Sequence, residues 1–190
     1  MRNMLKMVVV LSFLCAFSGL ALSSLKNLTA PLIEEQVLQN VQGPAVVTVF
    51  PHAENQPIVE RRKFTVDGHE ITVFPSINGG KLTGVALERF GKGYGGDIGV
   101  VVGFNLHNDT LAGIGITTLK ETPGLGMRVT EPAFGAQFVD MKPPAGLKSD
   151  GGAVDGISGA TISSKGVVSA VNDAMTLYGK LKGQLLQAWQ

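Results

Sequence analysis

Residues 7–25 hold no charged side chain, and this run constrains the chain before any other feature is read. In a lipid bilayer such a segment has to be helical, because a helix satisfies every backbone N–H and C=O from within. Nineteen residues make a helix of about 28 Å, close to the hydrocarbon thickness of a membrane. Arg2, Lys6 and the amino terminus precede the run, and Lys26, Glu34 and Glu35 follow it. The excess of cations on the N-terminal side orients that end toward the cytoplasm and the remainder across the membrane. A cleaved signal peptide is the rival reading, with Ala21-Leu22-Ser23 as a small-x-small cleavage site. The run is longer than a usual signal core and its last third stays apolar, which favours an uncleaved single-pass anchor in the inner membrane. Both readings export the rest of the chain. Cys15, the one cysteine, lies inside the run, so an internal disulfide is excluded. Leu14 before it is too bulky for a lipid-attachment site.

The exported part reads as α+β: a mainly antiparallel β-sheet domain with flanking helices. Residues 1–27 form the anchor, 28–44 a linker helix and 45–190 the extracytoplasmic domain. Thr29 and Pro31 mark the start of the linker helix, Leu32, Val37, Leu38 and Val41 give it a partial apolar face, and Gly43-Pro44 ends it. Strands are expected over 46–50, 58–66, 70–74, 82–90, 98–105 and 111–119, all rich in Val, Ile, Thr and Phe. Asp67-Gly68, Asn78-Gly79-Gly80 and Asn108-Asp109 supply turns between them. The nearly all-apolar 98–104 run predicts a buried central strand. A short helix is expected over 132–139, then Pro143-Pro144 and a polar loop to Asp155. The longest helix outside the anchor is expected from Thr161 to about Leu186. Ile162, Val168, Val171, Met175, Tyr178, Leu181 and Leu185 recur there at helical spacing and form its core stripe. Gly166, Gly179 and Gly183 weaken that helix by about 1 kcal/mol each relative to Ala, and Gly179 is a candidate break.

The formal net charge is +1 with 16% charged residues, and no basic stripe is interleaved with aromatics, so nothing points to nucleic acid. Arg61-Arg62-Lys63 reads as a solvated strand edge. His52, His69 and His107 read as surface or turn residues, and no metal site is expected.

Chemistry concentrates in two small-residue segments. In Asp155-Gly156-Ile157-Ser158-Gly159-Ala160-Thr161 a hydroxyl follows a tight turn at the mouth of the long helix. The first amides of a helix lack intrahelical acceptors and carry partial positive charge, so they bind phosphate oxygens. Gly156, Gly159 and Ala160 leave room for a phosphorylated ligand at the backbone. An ordinary helix start with Ser158 or Thr161 as N-cap fits the same tetrapeptide. Upstream, Glu121-Thr122-Pro123-Gly124-Leu125-Gly126 reads as a turn after a strand. The glycine-rich stretch 91–96, with Lys92 and Tyr94, lacks the Lys-Ser/Thr ending of a nucleotide phosphate loop. It reads as a loop leading into the 98 strand.

The Asp155 segment resembles the flavinylation motif Asp-Gly-x-Ser/Thr-Gly-Ala-Thr of bacterial FMN-binding-domain proteins. The Glu121 loop is similar to the Glu-Thr-Pro-Gly-Leu-Gly loop of the same family. Order, spacing and length together resemble the G subunit of the Rnf electron-transport complex, over most of the chain. The related C subunit of the sodium-pumping NADH:quinone reductase shares the Thr motif and is usually longer.

The resemblance implies an electron relay outside the cytoplasmic membrane. It would work beside other membrane subunits that couple ferredoxin and NAD to ion movement. It implies covalent FMN on Thr161 through a phosphoester, installed by a magnesium-dependent flavin transferase that uses FAD. Thr161 is selected over the rival hydroxyls Ser158, Ser163 and Ser164 by the motif. Asp155 closes the turn or presents the motif to the transferase. Glu121, Thr122, Gly124, Leu125 and Gly126 would line the flavin, with Tyr94 a ring neighbour. Lys165, four residues beyond Thr161, is the candidate phosphate partner; a solvated lysine fits equally. Two further readings stand beside the relay: an exported flavoprotein serving another membrane reductase, and an anchored binding scaffold without covalent flavin.

Overall fold

Five strands follow one another as an antiparallel meander because each connection is short and two of the turns have the backbone twist that hairpins need. The computed structural model describes residues 1–142 and 144–189; Pro143, assigned above to a loop, and Gln190 lie outside the described residues. The sheet order is β1 (Arg62–Val66), β2 (His69–Asn78), β3 (Lys81–Lys92), β4 (Asp97–Asn105) and β5 (Thr110–Thr118). Asp67 and Gly68 have φ of 52° and 80°, and Gly79 and Gly80 have 58° and 70°. Two consecutive left-handed residues make the turn that joins twisted antiparallel strands without splaying them. β4 is an internal strand and fully buried from Ile98 to Phe104.

The chain divides into two compact units, residues 1–38 and 39–190. The first is essentially α1 (Arg2–Val37), in which no residue is buried. Its most apolar 18-residue window has a mean hydropathy of 2.2, long and apolar enough to cross a membrane. α1 does not restart at Pro31, as the sequence reading expected. The Thr29 hydroxyl bonds the carbonyls of Leu25 at 2.9 Å and Lys26 at 3.3 Å, one turn below the proline.

In the second unit the 46–50 strand is absent. That segment is α2 (Gly43–Val49), which Pro44 starts in its first turn, where a missing N–H costs nothing. Ala45, Val46 and Val49 are buried at helical spacing. The sheet receives them on a face cleared of side chains. A Cβ on Gly103 would overlap Val49, one on Gly115 would lie 2.6 Å from the Ala45 carbonyl, and one on Gly84 would lie 2.9 Å from the Phe50 ring. Tertiary packing thus overrides the β propensity of a Val-Val-Thr-Val run. The 58–66 strand also shortens to β1, because 56–60 forms a turn with Val59 and Glu60 amides on the Gln56 carbonyl. The 132–139 helix is split into α3 (Pro132–Gly135) and a 3-10 turn, Ala136–Phe138.

The opposite face carries α4 (Thr161–Ala188), which is unbroken at Gly179. A Cβ at Gly179 or Gly183 would meet open space, so both lie on the solvent side. Gly166 has a different role. Its Cβ would stand 2.6 Å from the Lys92 carbonyl, and a Cβ on Gly91 would overlap the Gly166 carbonyl. Helix and strand backbones touch here, and only glycine permits it. Val85, Leu87, Val100 and Phe104 meet Val167, Ala170, Val171, Ala174, Leu181 and Leu185 in one core. Tyr178 stacks on Phe104 with centroids 4.4 Å apart.

The far half of α4 is tied to two turns. Lys180 reaches Asp67 at 2.6 Å, and Lys182 and the Tyr178 hydroxyl reach Asp109 at 2.6 and 2.7 Å. The Lys182 and Tyr178 hydrogen bonds hold the Asp109 carboxyl below the usual carboxylate range. Burial, then the Asp109 bond, raise the Tyr178 phenol. The Arg61–Lys63 run is also more engaged than expected. Arg62 lies 5.0 Å over the Trp189 ring and bonds the Ala188 carbonyl, and Arg61 bonds the Ile58 carbonyl at 2.7 Å. His52, His69 and His107 are exposed.

Two outcomes are expected. Gly166→Ala lowers stability by about 1–3 kcal/mol in chemical denaturation, since overpacking outweighs helix propensity, whereas Gly183→Ala raises it by about 0.5–1 kcal/mol. Asp109, whose folded pKa lies below 3.8, stabilises the fold above that value and ceases to as pH falls through the folded pKa. The stability advantage of wild type over Asp109→Asn therefore shrinks on acidification below about pH 4, and parallel unfolding curves across pH read it directly.

Candidate functional site

Three segments far apart in sequence meet at the start of α4. Gly91 against Gly166 fixes the height of the helix on β3, and the connection after β3 then passes the helix's first turn. The Glu121 loop leaves β5 and crosses the same end. A cleft of about 520 Å³ opens between them, lined by Tyr94, Thr122, Leu125, Gly126, Gly159, Ala160, Thr161, Ile162 and Ser163. All three segments singled out in the sequence contribute to it.

Thr161 is the first residue of α4 and is exposed. The N-cap is Ala160, neither Ser158 nor Thr161, and no side chain caps the helix. Ala160 nevertheless ends the turn in order: its N–H bonds the Ile157 carbonyl at 2.9 Å, and its carbonyl accepts the Ser164 N–H at 3.0 Å. The amides of Thr161, Ile162 and Ser163 precede that first helical bond and have no acceptor within the helix. Gly159 has φ of 79°, and a Cβ there would lie 2.9 Å from Leu125. The turn therefore needs glycine both for its backbone and for the approach of the Glu121 loop.

The rival serines separate by burial. Ser163 and Ser164 are 1% and 0% exposed. Ser164 Oγ donates to the Ala160 carbonyl and accepts the Ile157 N–H, both at 3.0 Å, and so stitches the turn to the helix. Ser163 Oγ donates to Glu121 Oε2 at 2.5 Å. Neither hydroxyl is open to a reagent. Ser158 is exposed on the turn and is outside the cleft lining.

Glu121 is buried, with Oε1 accepting the Gly95 N–H at 2.9 Å. Its carboxylate serves protein partners. Thr122 and Leu125 are exposed on the lining, and Thr122's carbonyl receives the Leu125 and Met127 amides at 3.2 Å. Gly124 has φ of 73°, which shapes this loop. Tyr94 is 75% exposed at the rim. Ile162, expected in the core stripe, is 53% exposed and faces outward at the cleft.

Asp155 and Lys165 are each paired. Asp155 bonds Lys148 Nζ at 2.7 Å, and its N–H and C=O engage the Gln137 amide at 2.7 and 3.2 Å. Lys165 Nζ lies 3.0 Å from Asp150. Its side chain runs to the 148–150 turn. Sequence reasoning missed Ser163 as the partner of Glu121 and Gln137 as the partner of Asp155. For the first, Gly93, Gly95 and Gly126 were the available signal, since each marks a close approach around Glu121. The second had none.

Chemically the arrangement offers an accessible secondary hydroxyl, a cluster of free amides for an anion, and apolar walls from Leu125, Ile162 and Tyr94. Among the described residues no group of His, Cys, Asp and Glu is placed to hold a metal ion.

A family model described as the FMN-binding domain matches residues 93–176, which run from the Tyr94 loop into α4. The G subunit of an ion-translocating oxidoreductase complex from Methanosarcina acetivorans is 33% identical over 145 residues, covering 75% of this chain and 77% of its own length. The G subunit of a proton-translocating ferredoxin:NAD(+) oxidoreductase complex from Clostridium ljungdahlii is 26% identical over 87% of this chain and 86% of its own length. The crystal structure of Shewanella oneidensis NqrC matches 69% of this chain and 72% of its own length at 25% identity, with a TM-score of 0.50. The chain belongs to the family of G subunits of ion-translocating oxidoreductase complexes, and its 39–190 unit contains that family's FMN-binding domain.

Proposed function

We propose that this chain is the electron-relay subunit of an Rnf-type ion-translocating complex and carries FMN through a phosphoester on Thr161. One observation carries the reading: the Thr161 hydroxyl stands exposed on the first turn of a 28-residue helix whose N-terminus has no capping side chain. The names of the relatives support the complex, and that of the Clostridium ljungdahlii relative supports ferredoxin and NAD as its redox ends.

The residues present fit the group. A phosphodiester at Thr161 would accept the unused amides of Ile162 and Ser163 and gain from the helix dipole. Lys165 is within one helical turn and would exchange Asp150 for a phosphate oxygen. Leu125, Ile162 and Tyr94 provide apolar contact for a flat ring, and the Thr122 hydroxyl a polar edge. Bound there, FMN supplies one- and two-electron chemistry that no side chain has. The chain's own residues bind, orient and partly shield it.

Attachment needs a second enzyme. Among the described residues no side chain hydrogen-bonds the Thr161 hydroxyl, so no built-in base activates it. A magnesium-dependent flavin transferase would supply the base. There the Thr161 hydroxyl would be the acceptor of the FMN half of FAD: its Oγ would replace AMP on the phosphorus, with AMP as the leaving group and the hydroxyl proton passing to the transferase or solvent. Ser163 and Ser164 are closed to the same reaction by burial.

We further assign residues 1–27 as an uncleaved anchor with the N-terminus in the cytoplasm. The 39–190 unit then lies on the outer side of the membrane, beside the other members of the complex.

Coexpression of the full chain with a flavin transferase is expected to give a fluorescent band after denaturing electrophoresis, reduced at least tenfold in Thr161→Ala. A dark wild-type band beside a bright flavinylated control sinks the relay and leaves the binding-scaffold reading. For topology, Lys81→Cys in a Cys15→Ser background is expected to react with a membrane-impermeant maleimide in spheroplasts, where the outer leaflet is accessible. Labelling only after lysis reverses the assigned orientation.

A further inference from the structure

One buried side chain touches all three segments of the cleft. Glu121 is 8% exposed. Oε1 accepts the Gly95 N–H from the loop after β3, and Oε2 accepts the Ser163 hydroxyl from the first turn of α4. The backbone is drawn tightly around this carboxylate. A Cβ on Gly93 would overlap Oε1, and one on Gly126 would overlap Oε2 and lie 2.7 Å from Ser163 Oγ. Gly126 and Ser163 are themselves cleft lining. The carboxylate therefore sits one residue's thickness behind the wall of the cleft.

Its environment is unusual for an acid. Both donors are neutral, and among the described residues no Lys, Arg or His pairs with it. Buried charges are ordinarily paired, because desolvation is costly. The positive end of α4 is the nearest compensation. A single amide or hydroxyl on each oxygen would suffice to hold the loops together, and a neutral glutamine could do that too. Its Oε1 would accept from Gly95, and its Nε2 would donate to Ser163, whose hydroxyl turns. The negative charge is the one property that shape does not require.

We propose that Glu121 sets the redox potential of the cofactor in this cleft, acting as a fixed anion walled off from water. This rests on the flavin reading given above. Electrons taken up in the cleft bring negative charge. A nearby anion in a low-dielectric wall disfavours that uptake and lowers the potential. Because the carboxylate is buried, salt screens the effect far less than it screens a surface charge. Glu121 is thus a tuning residue that acts through Ser163 and Gly126.

The test uses full-length wild type, Glu121→Gln and Glu70→Gln, each coexpressed with a flavin transferase and purified in detergent. Glu70 is an exposed carboxylate on β2, paired with Lys63. Spectroelectrochemical titration of the bound flavin at low and high salt is the readout. The potential of Glu121→Gln is expected above wild type at both salt concentrations, with Glu70→Gln unchanged. Equal potentials for wild type and Glu121→Gln, or an equal shift in Glu70→Gln, overturn the assignment. Ser163→Ala decides the matter even where Glu121→Gln is not recovered folded. It keeps the carboxylate and removes one donor, so its potential, read at alkaline pH where a carboxylate stays ionised, is expected below wild type. A value at or above wild type there overturns the proposal. A wild type that takes up no flavin fails at the earlier step, in the Thr161 reading, and is told apart by its dark band.

Discussion

The backbone contact of Gly166 with Gly91 and Lys92 is the constraint on which the site depends. It brings α4 against β3 without side chains between them, so the helix cannot slide or rise without losing contact along its length. Once that height is fixed, the first turn of α4 meets the loop after β3 and the Glu121 loop. The free amides of the helix then point into the space those loops leave. The contact of Gly95 with the Lys120 carbonyl then sets the Tyr94 loop against the Glu121 loop in the same way.

The two faces of the sheet are solved by the same device in different ways. On the α4 face the glycine pair lies at one end, and the rest is aliphatic interdigitation with a Phe104–Tyr178 stack. On the other face Gly84, Gly103 and Gly115 form a trough for α2 and Phe50. A short helix with few buried side chains gains little from area alone. It is held because the trough brings its backbone close to the sheet, where dispersion contacts are dense.

Much of this was legible in the sequence. The Asp67-Gly68 and Gly79-Gly80 turns, the buried 98–104 strand and the long final helix follow from local chemistry. So does the convergence of the Asp155 and Glu121 segments, through family resemblance. What was not legible depends on partners distant in sequence. The Val46–Val49 segment has strand composition and becomes helical only because glycines on β3, β4 and β5 make room. Gly166 reads as a weak point in a helix until Lys92 is placed against it. Ile162 fits the apolar period of α4, yet it stands on the first turn and faces the cleft instead. Glu121 reads as a ligand-facing acid in a loop, and it is instead enclosed by three glycines and a serine.

The order of chain synthesis gives the three-segment cleft a further meaning. The meander β1–β5 consists of neighbours in sequence and closes through short turns, so its pairing needs no distant residue and is available early. α4 follows the meander in sequence, and the Thr161 turn becomes stitched by Ser164 only when that helix winds. Without the wound helix Thr161 has neither the amide cluster nor the apolar wall beside it. On the function proposed above, an enzyme that recognises the finished turn would act only on a completed domain, and the modification would double as a mark of correct assembly.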